Sequence, residues 1–397
     1  MAEISAIPPI WTKVDVIALL DHVLAKPTAM VVRNRGDGYY EAIYGKGMNQ
    51  AGKRFGELTT VPGALINDVF TNGLTAARTL YEKVTLQGSF DMDIEAVIPA
   101  KTILDCLGAK ITTSEIIKCF SSVSNDIIVI GGRWISDPSG SPQRWPLYFE
   151  SDNVKILYGD YEGWYHGPEF ASGKHNKVLF IHSKESWGSN LTILSSGTEV
   201  VGCVLLDGLE DNLHAFGENC TYALNRITNV TPNTIAVGLK GEMNNFYFNE
   251  ISGATTLLAI YALGVNYRYA KIIGNTFKNG TVGILENGEF GGVVDYNKIY
   301  LNQFFDVTTP HQKLNNAGPN TKARFNYGYI TELLLTGKTV NLSQTTIPHG
   351  LGVIPNNIQI IPTSDGRIWR SAASDGVNIY LTADADGRTC DIYVSRE

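Results

Sequence analysis

Cysteine is scarce and unpatterned: five residues in 397, Cys106, Cys119, Cys203, Cys220 and Cys390, with no CxxC spacing. That excludes a disulfide framework, and the odd count leaves at least one thiol without an intramolecular partner. Basic charge is short as well. Lys and Arg number 32 against 39 Asp and Glu, a net charge of −7, and no basic run stands out, so nucleic acid is not an expected partner. No apolar stretch approaches eighteen residues, and the start MAEISAIPPIW has neither a basic n-region nor an apolar core. The expectation is a soluble chain with no membrane insertion and no secretion signal of its own. HExxH and GxSxG are absent, and Gly45-Lys46-Gly47 lacks the full phosphate-loop spacing.

What is present is punctuation: 40 glycines, with Asn, Asp and Ser breaking many short apolar runs. Residues 1–82 read as a cap of mixed α/β character. Thr12 to Ala25 predicts a helix ended by Pro27, two strand-like runs flank a turn at Gly36-Asp37-Gly38, and a second helix follows Pro62. From Lys83 to residue 305 the runs recur. YALNRI, FYFNEI, IIGNTF and VDYNKI place Asn225, Asn249, Asn275 and Asn297 at spacings of 24, 26 and 22, each followed two residues later by Ile227, Ile251, Phe277 or Ile299. The register extends back through Cys203, His182, Gly159 and Gly132.

A repeat this short without a helix in it predicts a parallel β-helix. Stacking at about 4.8 Å gives eight such coils a length of roughly 35–40 Å. The asparagines are expected in one stacked column, with their Ile and Phe partners pointing inward. Residues 306–329 are polar and read as a linker or packed arm. Residues 330–397 read as a small antiparallel β-sandwich, with hairpin turns at Asp365-Gly366, Asp375-Gly376 and Asp386-Gly387.

The coils VVGCVLLDGLEDNLHAFGENCTYALNRITN and NYRYAKIIGNTFKNGTVGILENG resemble the pectin-lyase-like right-handed parallel β-helix superfamily. That superfamily includes polysaccharide lyases, glycoside hydrolases and phage tailspikes. IPHGLG at 347–352, followed by Pro355, Ile358 and the Asp-Gly-linked strands, resembles the small sandwich modules of phage tail fibres and spikes. The resemblance implies an all-β solenoid on a virion surface or outside the cell, a homotrimer, and binding or depolymerisation of a surface polysaccharide. No cofactor is required; pectate lyases of the superfamily use arginine with bound Ca2+, and calcium held by carboxylates scattered over coils is compatible with this sequence.

Two ionisable clusters carry the chemistry. LDGLEDNLHAFGEN holds Asp207, Glu210, Asp211, His214 and Glu218. Glycosidic hydrolysis needs one protonated and one ionised carboxyl group, and Asp211, among other acids and three residues before His214, is the first choice. Asp207, Glu210 or a carboxylate from the next coil is its partner, with His214 orienting substrate. Some hydrolases of the superfamily carry an adjacent acidic pair followed by a histidine, and Glu210-Asp211 with His214 resembles that arrangement. The second cluster lies one to two coils earlier. There Trp164, Tyr165 and Trp187 are sugar platforms, and His166, His182 and Glu185 are polar contacts. Three functions stay open: a depolymerising tailspike-like protein, with hydrolysis ahead of elimination; a non-catalytic glycan-binding or structural rod; and a free lyase or polygalacturonase-like hydrolase.

Overall fold

Many short strands of three or four residues, a good share of them ended by a residue in the left-handed conformation, set the architecture. The computed structural model describes residues 13–26, 28–34, 40–44, 56–59 and 83–395, apart from 93–94, 114–116, 137–142, 230–234, 263–265, 289–291, 329–331, 350 and 352–353. A right-handed parallel β-solenoid fills most of it, with small antiparallel sheets at both ends. Three sheets run along the rod. Sheet 1 includes Ile128–Ile130, Lys155–Leu157, Lys177–Leu179, Asn245–Tyr247 and Lys298–Tyr300. Sheet 2 includes Arg133–Ser136, Asp160–Glu162, His182–Lys184 and Arg226–Thr228. Sheet 3 includes Lys118–Ser122, Trp145–Glu150, Glu169–Ser172, Leu191–Ile193 and Leu213–Ala215.

Ten successive parallel pairings link the sheet 1 strands from Lys83 to Lys322, which makes the rod about 48 Å long. The turns between sheets 1 and 2 use Tyr158, Phe180, Leu224, Phe248 and Leu301 at φ between 54° and 58°. Bulky residues avoid this region. Here each donates its N–H to the next coil, as Phe248 does to Ile273 O at 3.1 Å and Leu224 to Tyr247 O at 3.1 Å, so an interstrand bond offsets the local strain.

Inside, alternate side chains of all three sheets form one core. Phe120, Trp134, Ile156, Phe170, Leu205, Ile227 and Phe246 are 0–1% exposed. The asparagine column is real but holds a different fourth member. Cys203 N donates to Asn225 Oδ1 at 2.9 Å, Asn225 N to Asn249 at 3.0 Å, Asn249 N to Asn275 at 2.8 Å, Asn275 N to Asn302 at 2.9 Å, and Asn302 N to Asn326 at 2.8 Å. Asn297 belongs to another corner, where it accepts from Ala270 N at 2.9 Å, and Ile299 pairs with Ile272 in sheet 1. Phe304 takes the expected place, stacked on Phe277 at 5.1 Å. Both corners read N-x-apolar, so spacing alone did not separate them.

All of these column members are 0–9% exposed and fully bonded. Asn275→Ala removes four side-chain hydrogen bonds and leaves buried partners unpaired, so urea unfolding is expected to show a loss of about 1–3 kcal/mol. A loss within the roughly 0.5 kcal/mol typical of surface substitutions would contradict the buried ladder.

The described residues 306–328, expected as a linker or packed arm, instead pair into the solenoid as a further coil. Gln303–Asn315 pairs with Thr276–Gly288, and Lys322–Arg324 with Lys298–Tyr300. The segment looks polar because some of its inward positions are polar and paired. Glu286, 0% exposed, accepts from Asn297 Nδ2 at 2.6 Å and Thr321 Oγ1 at 2.9 Å, and lies 3.1 Å from His311 Nε2.

At the N-terminal end the helix spans Lys13–Leu24, and Thr28–Asn34 pairs with both Tyr40–Tyr44 and the first solenoid strand, Lys83–Asp91. The turn at Gly36-Asp37-Gly38 and the helix after Pro62 lie outside the described residues. The C-terminal residues form two three-stranded antiparallel sheets over a core of Val340, Ile347, Ile379, Leu381 and Ile392. Of the three Asp-Gly sites, Asp375-Gly376 alone joins two paired strands, Ile368–Arg370 and Asn378–Ala383. Asp365-Gly366 and Asp386-Gly387 cross between the sheets, because closing a sandwich needs connections from one layer to the other.

Candidate functional site

Register places one outward row on sheet 3. Ser121, Tyr148, Glu169, Thr192, His214 and Gly238 stand on successive coils, while their neighbours Phe120, Phe149, Phe170, Ile193 and Leu213 point into the core. Beside the row, loops 163–168, 185–190 and 207–212 stack on one another at the corner between sheets 2 and 3. A third asparagine ladder holds them: Asn190 Nδ2 donates to Asn212 Oδ1, and Asn212 Nδ2 to Asn229 Oδ1. Gly208 N also donates to Asn212 Oδ1, at 2.8 Å.

This stacking merges parts of the two sequence clusters into one site. Asp211 is 9% exposed. Its Oδ1 accepts from the buried Ser189 hydroxyl, and its Oδ2 lies 3.1 Å from His214 Nδ1. Gly238 makes room for it, since a Cβ there would stand 2.8 Å from Asp211 Oδ2. Ser189 N donates to His166 Nδ1 at 3.3 Å. Burial, then the neighbouring His214, pushes His166 down to about 4, so its ring is neutral at pH 7 and free to accept.

Two coils before His214, Glu169 is also 9% exposed and accepts from Trp145 Nε1 at 2.6 Å. Burial raises its carboxyl above the usual glutamate range, against the opposing indole bond and the charges of His214 and Lys118. The Lys118 ammonium sits 3.3 Å from the Tyr148 ring centroid.

Aromatic rings border these carboxylates. Tyr165 stacks on Trp187 at 5.3 Å and 21°, Trp145 on His166 at 6.0 Å and 25°, and Trp145 meets Tyr165 edge-on at 6.2 Å. Trp187 is 40% exposed. Trp164 is not part of this platform. It is 0% exposed, packed in the solenoid core with its Nε1 donating to Trp134 O at 3.1 Å, and no sugar reaches it.

The other expected residues lie elsewhere. Asp207 and Glu185 are corner residues at φ 55° and 56°. Glu210 is exposed on the outer loop, and its N–H donates to Gly188 O at 3.2 Å. His182 faces outward from sheet 2, 2.9 Å from Asp160 Oδ1. Glu169, Trp145, Tyr148, Lys118 and Ser189 carry no role in the sequence reading. Counting back one coil at a time from His214 on sheet 3 would have reached Glu169 and Tyr148. Among the described residues, no three of His, Cys, Asp or Glu are grouped to hold a metal ion.

No protein-family model matches the sequence, and no curated protein does. Solved structures are similar in fold at low identity. Geobacillus virus E2 ORF18 aligns at a TM-score of 0.56 and 11% identity, over 93% of this chain and 78% of that one. The gp42 tailspike of Acinetobacter phage vb_AbaP_AS12 aligns at 0.48 and 12%, over 83% and 79%. The Dettilon tailspike protein gp208 aligns at 0.46 and 10%, over 84% and 91%. The β-solenoid fold of this chain thus resembles that of a viral structural relative over nearly its whole length.

Proposed function

We propose that this chain is a tailspike-like protein of a virion surface or extracellular setting that binds a surface polysaccharide and cleaves it hydrolytically on sheet 3. One observation carries the proposal: two nearly buried carboxyl groups in different surroundings share one face with an aromatic border. Glu169, raised by burial, is the general acid that protonates the leaving oxygen. Asp211, held by Ser189 and His214, is the general base that takes a proton from the attacking water. Glu169 and His214, which Asp211 faces, stand two coils apart on sheet 3, roughly 9–10 Å along the rod, which leaves room for a water and favours the inverting geometry. Trp187 and Tyr165 take sugar faces.

Elimination is the weaker reading. It needs a base for the proton beside a uronate carboxyl, and Tyr148, the hydroxyl on the same row, is pushed up to about 12 by burial and its acidic neighbours. Arg133 faces Glu162 on sheet 2, away from the row. Assembly as a homotrimer is part of the proposal, supported by an exposed apolar edge along the rod, where Leu224, Phe248, Leu301 and Phe325 are 51, 44, 42 and 63% exposed.

The test is a panel of capsular, lipopolysaccharide and plant polysaccharides, incubated with and without calcium, with product size, reducing ends and ultraviolet absorbance measured. New reducing ends without new absorbance are expected. Both together would mean elimination. Binding without any fragments would leave the chain as a glycan-binding rod.

A further inference from the structure

The far half of sheet 1 carries a pattern that the carboxylate site does not use. Lys271 pairs in register with Lys298, and Lys298 with Lys322, so three lysines stack on consecutive coils, about 4.8 Å apart. Like charges set directly opposite are destabilising in a sheet. Other outward lysines of the rod have a partner: Lys177 has Glu199 at 2.5 Å, Lys184 has Glu162 at 3.0 Å, Lys278 has Glu250 at 3.1 Å, and Lys155, stacked on Lys177, donates to Asn153 Oδ1 at 3.1 Å. Among the described residues, Lys271, Lys298 and Lys322 make no ion pair and no side-chain hydrogen bond.

Beside them is a second unusual feature. Two residues before Lys271 and Lys298 stand Tyr269 and Tyr296, at φ 65° and 56°, with rings stacked at 5.5 Å and 26° and exposed by 51% and 45%. In earlier coils the same corner uses Asn153, His175, Gly197, Asn219 and Met243, all at positive φ, so among the described residues this corner carries no other pair of stacked aromatic rings. The two rings stack on each other yet leave about half of their surface open beside the lysines.

We infer that this edge is a second binding surface, for an acidic glycan chain laid along the rod axis. Tyr269 and Tyr296 take the C–H faces of its sugar rings, and Lys271, Lys298 and Lys322 take its carboxylates. The coil spacing is comparable with the advance per sugar in an extended chain. A second copy of this protein fits less well, because no paired register among the described residues sets three acidic side chains on consecutive coils. A nucleic acid is opposed by the net charge of −7. The surface lies beyond the coils of the sheet 3 row, and glycan binding there does not depend on cleavage by Glu169 and Asp211.

The test uses the full chain, with polygalacturonate and alginate as probes and carboxyl-reduced polygalacturonate as the neutral control. Affinity is measured at two salt concentrations, with cleavage of the same probes followed in parallel. Tighter binding of an acidic probe than of the control is expected, weakening with salt. The triple substitution Lys271→Gln/Lys298→Gln/Lys322→Gln is expected to cut that affinity at least tenfold, as is Tyr269→Ala/Tyr296→Ala, while the corresponding triple change to arginine keeps it. Cleavage is followed apart from affinity, so a failure of cleavage and a failure of this surface are read separately. Equal affinity for the acidic probes and the neutral control would overturn the inference, as would wild-type affinity in the glutamine triple variant. If that variant keeps its affinity but loses mass in light scattering, the edge is an interface between copies.

Discussion

Replacing Glu169 with glutamine is expected to slow depolymerisation of the cognate polymer by roughly 10²–10⁴-fold, the range for losing general acid–base catalysis. Glutamine keeps the length of the side chain and the bond from Trp145, so glycan binding should survive. The pH profile carries the finer prediction. A general acid works while protonated, and burial raises the Glu169 carboxyl, so the wild-type rate is expected to persist above the ordinary glutamate range and then fall as pH rises through that raised value. Glu169→Gln should lose this alkaline limb along with the rate. Asp211→Asn is expected to lose a comparable factor, because neither the Ser189 hydroxyl nor His214 then faces an ionised carboxylate. Asp207→Asn and Glu210→Gln should stay near the wild-type rate, since both side chains belong to the outer loop and not to the sheet 3 row. A wild-type rate in Glu169→Gln, with full loss in Glu210→Gln, would move the chemistry to that loop.

The second large effect is expected at Gly167, which has no chemistry of its own. A Cβ on Gly167 would stand 1.9 Å from Asn190 O and 2.7 Å from its carbonyl carbon, on the backbone of the next loop in the stack. Backbone held by a side-chain ladder does not yield as a flexible side chain would. Gly167→Ala is therefore expected to cost about 1–3 kcal/mol in urea unfolding, as overpacking does. The loops it forces apart carry His166 on one side and Ser189 on the other, and Ser189 holds Asp211. A shift of about 1 Å there is enough to lower the rate on the order of 10²-fold. Full activity with unchanged stability would show that the stacked loops do not position Asp211.

The solenoid was legible because its corners repeat. An asparagine that must be paired with the next coil recurs at each turn, and Cys203 in the same column marks the place where the ladder starts. The slip at Asn297 came from a coil whose strand runs from Thr276 to Gly288, so that the next true member, Asn302, lies 27 residues on and an equivalent corner motif intervenes. The last coil was hidden because Glu286, His311 and Thr321 are polar yet inward, paired with one another, and a hydrophobic period does not see a satisfied polar core.

At the site, Asp211 and His214 were legible because local spacing joins them. Glu169 was not assigned a role, because its link to them runs across two coils through Thr192 and depends on register. Trp164 was misplaced for a related reason: side-chain type alone does not say which face of a strand or loop points inward, and its neighbour Trp187, one coil later, does reach the surface.

The proposed activity requires that sheet 3 bind the glycan between Glu169 and Asp211. The most direct measurement is a crystal structure of the Asp211→Asn variant with an oligosaccharide taken from whichever polymer of the panel the wild-type protein shortens or binds. The expected result is a chain crossing sheet 3, with a glycosidic oxygen within hydrogen-bond reach of Glu169 and sugar rings against Tyr165 and Trp187. Sugar bound along sheet 2 or in the C-terminal sandwich, with the sheet 3 row unoccupied, would contradict it.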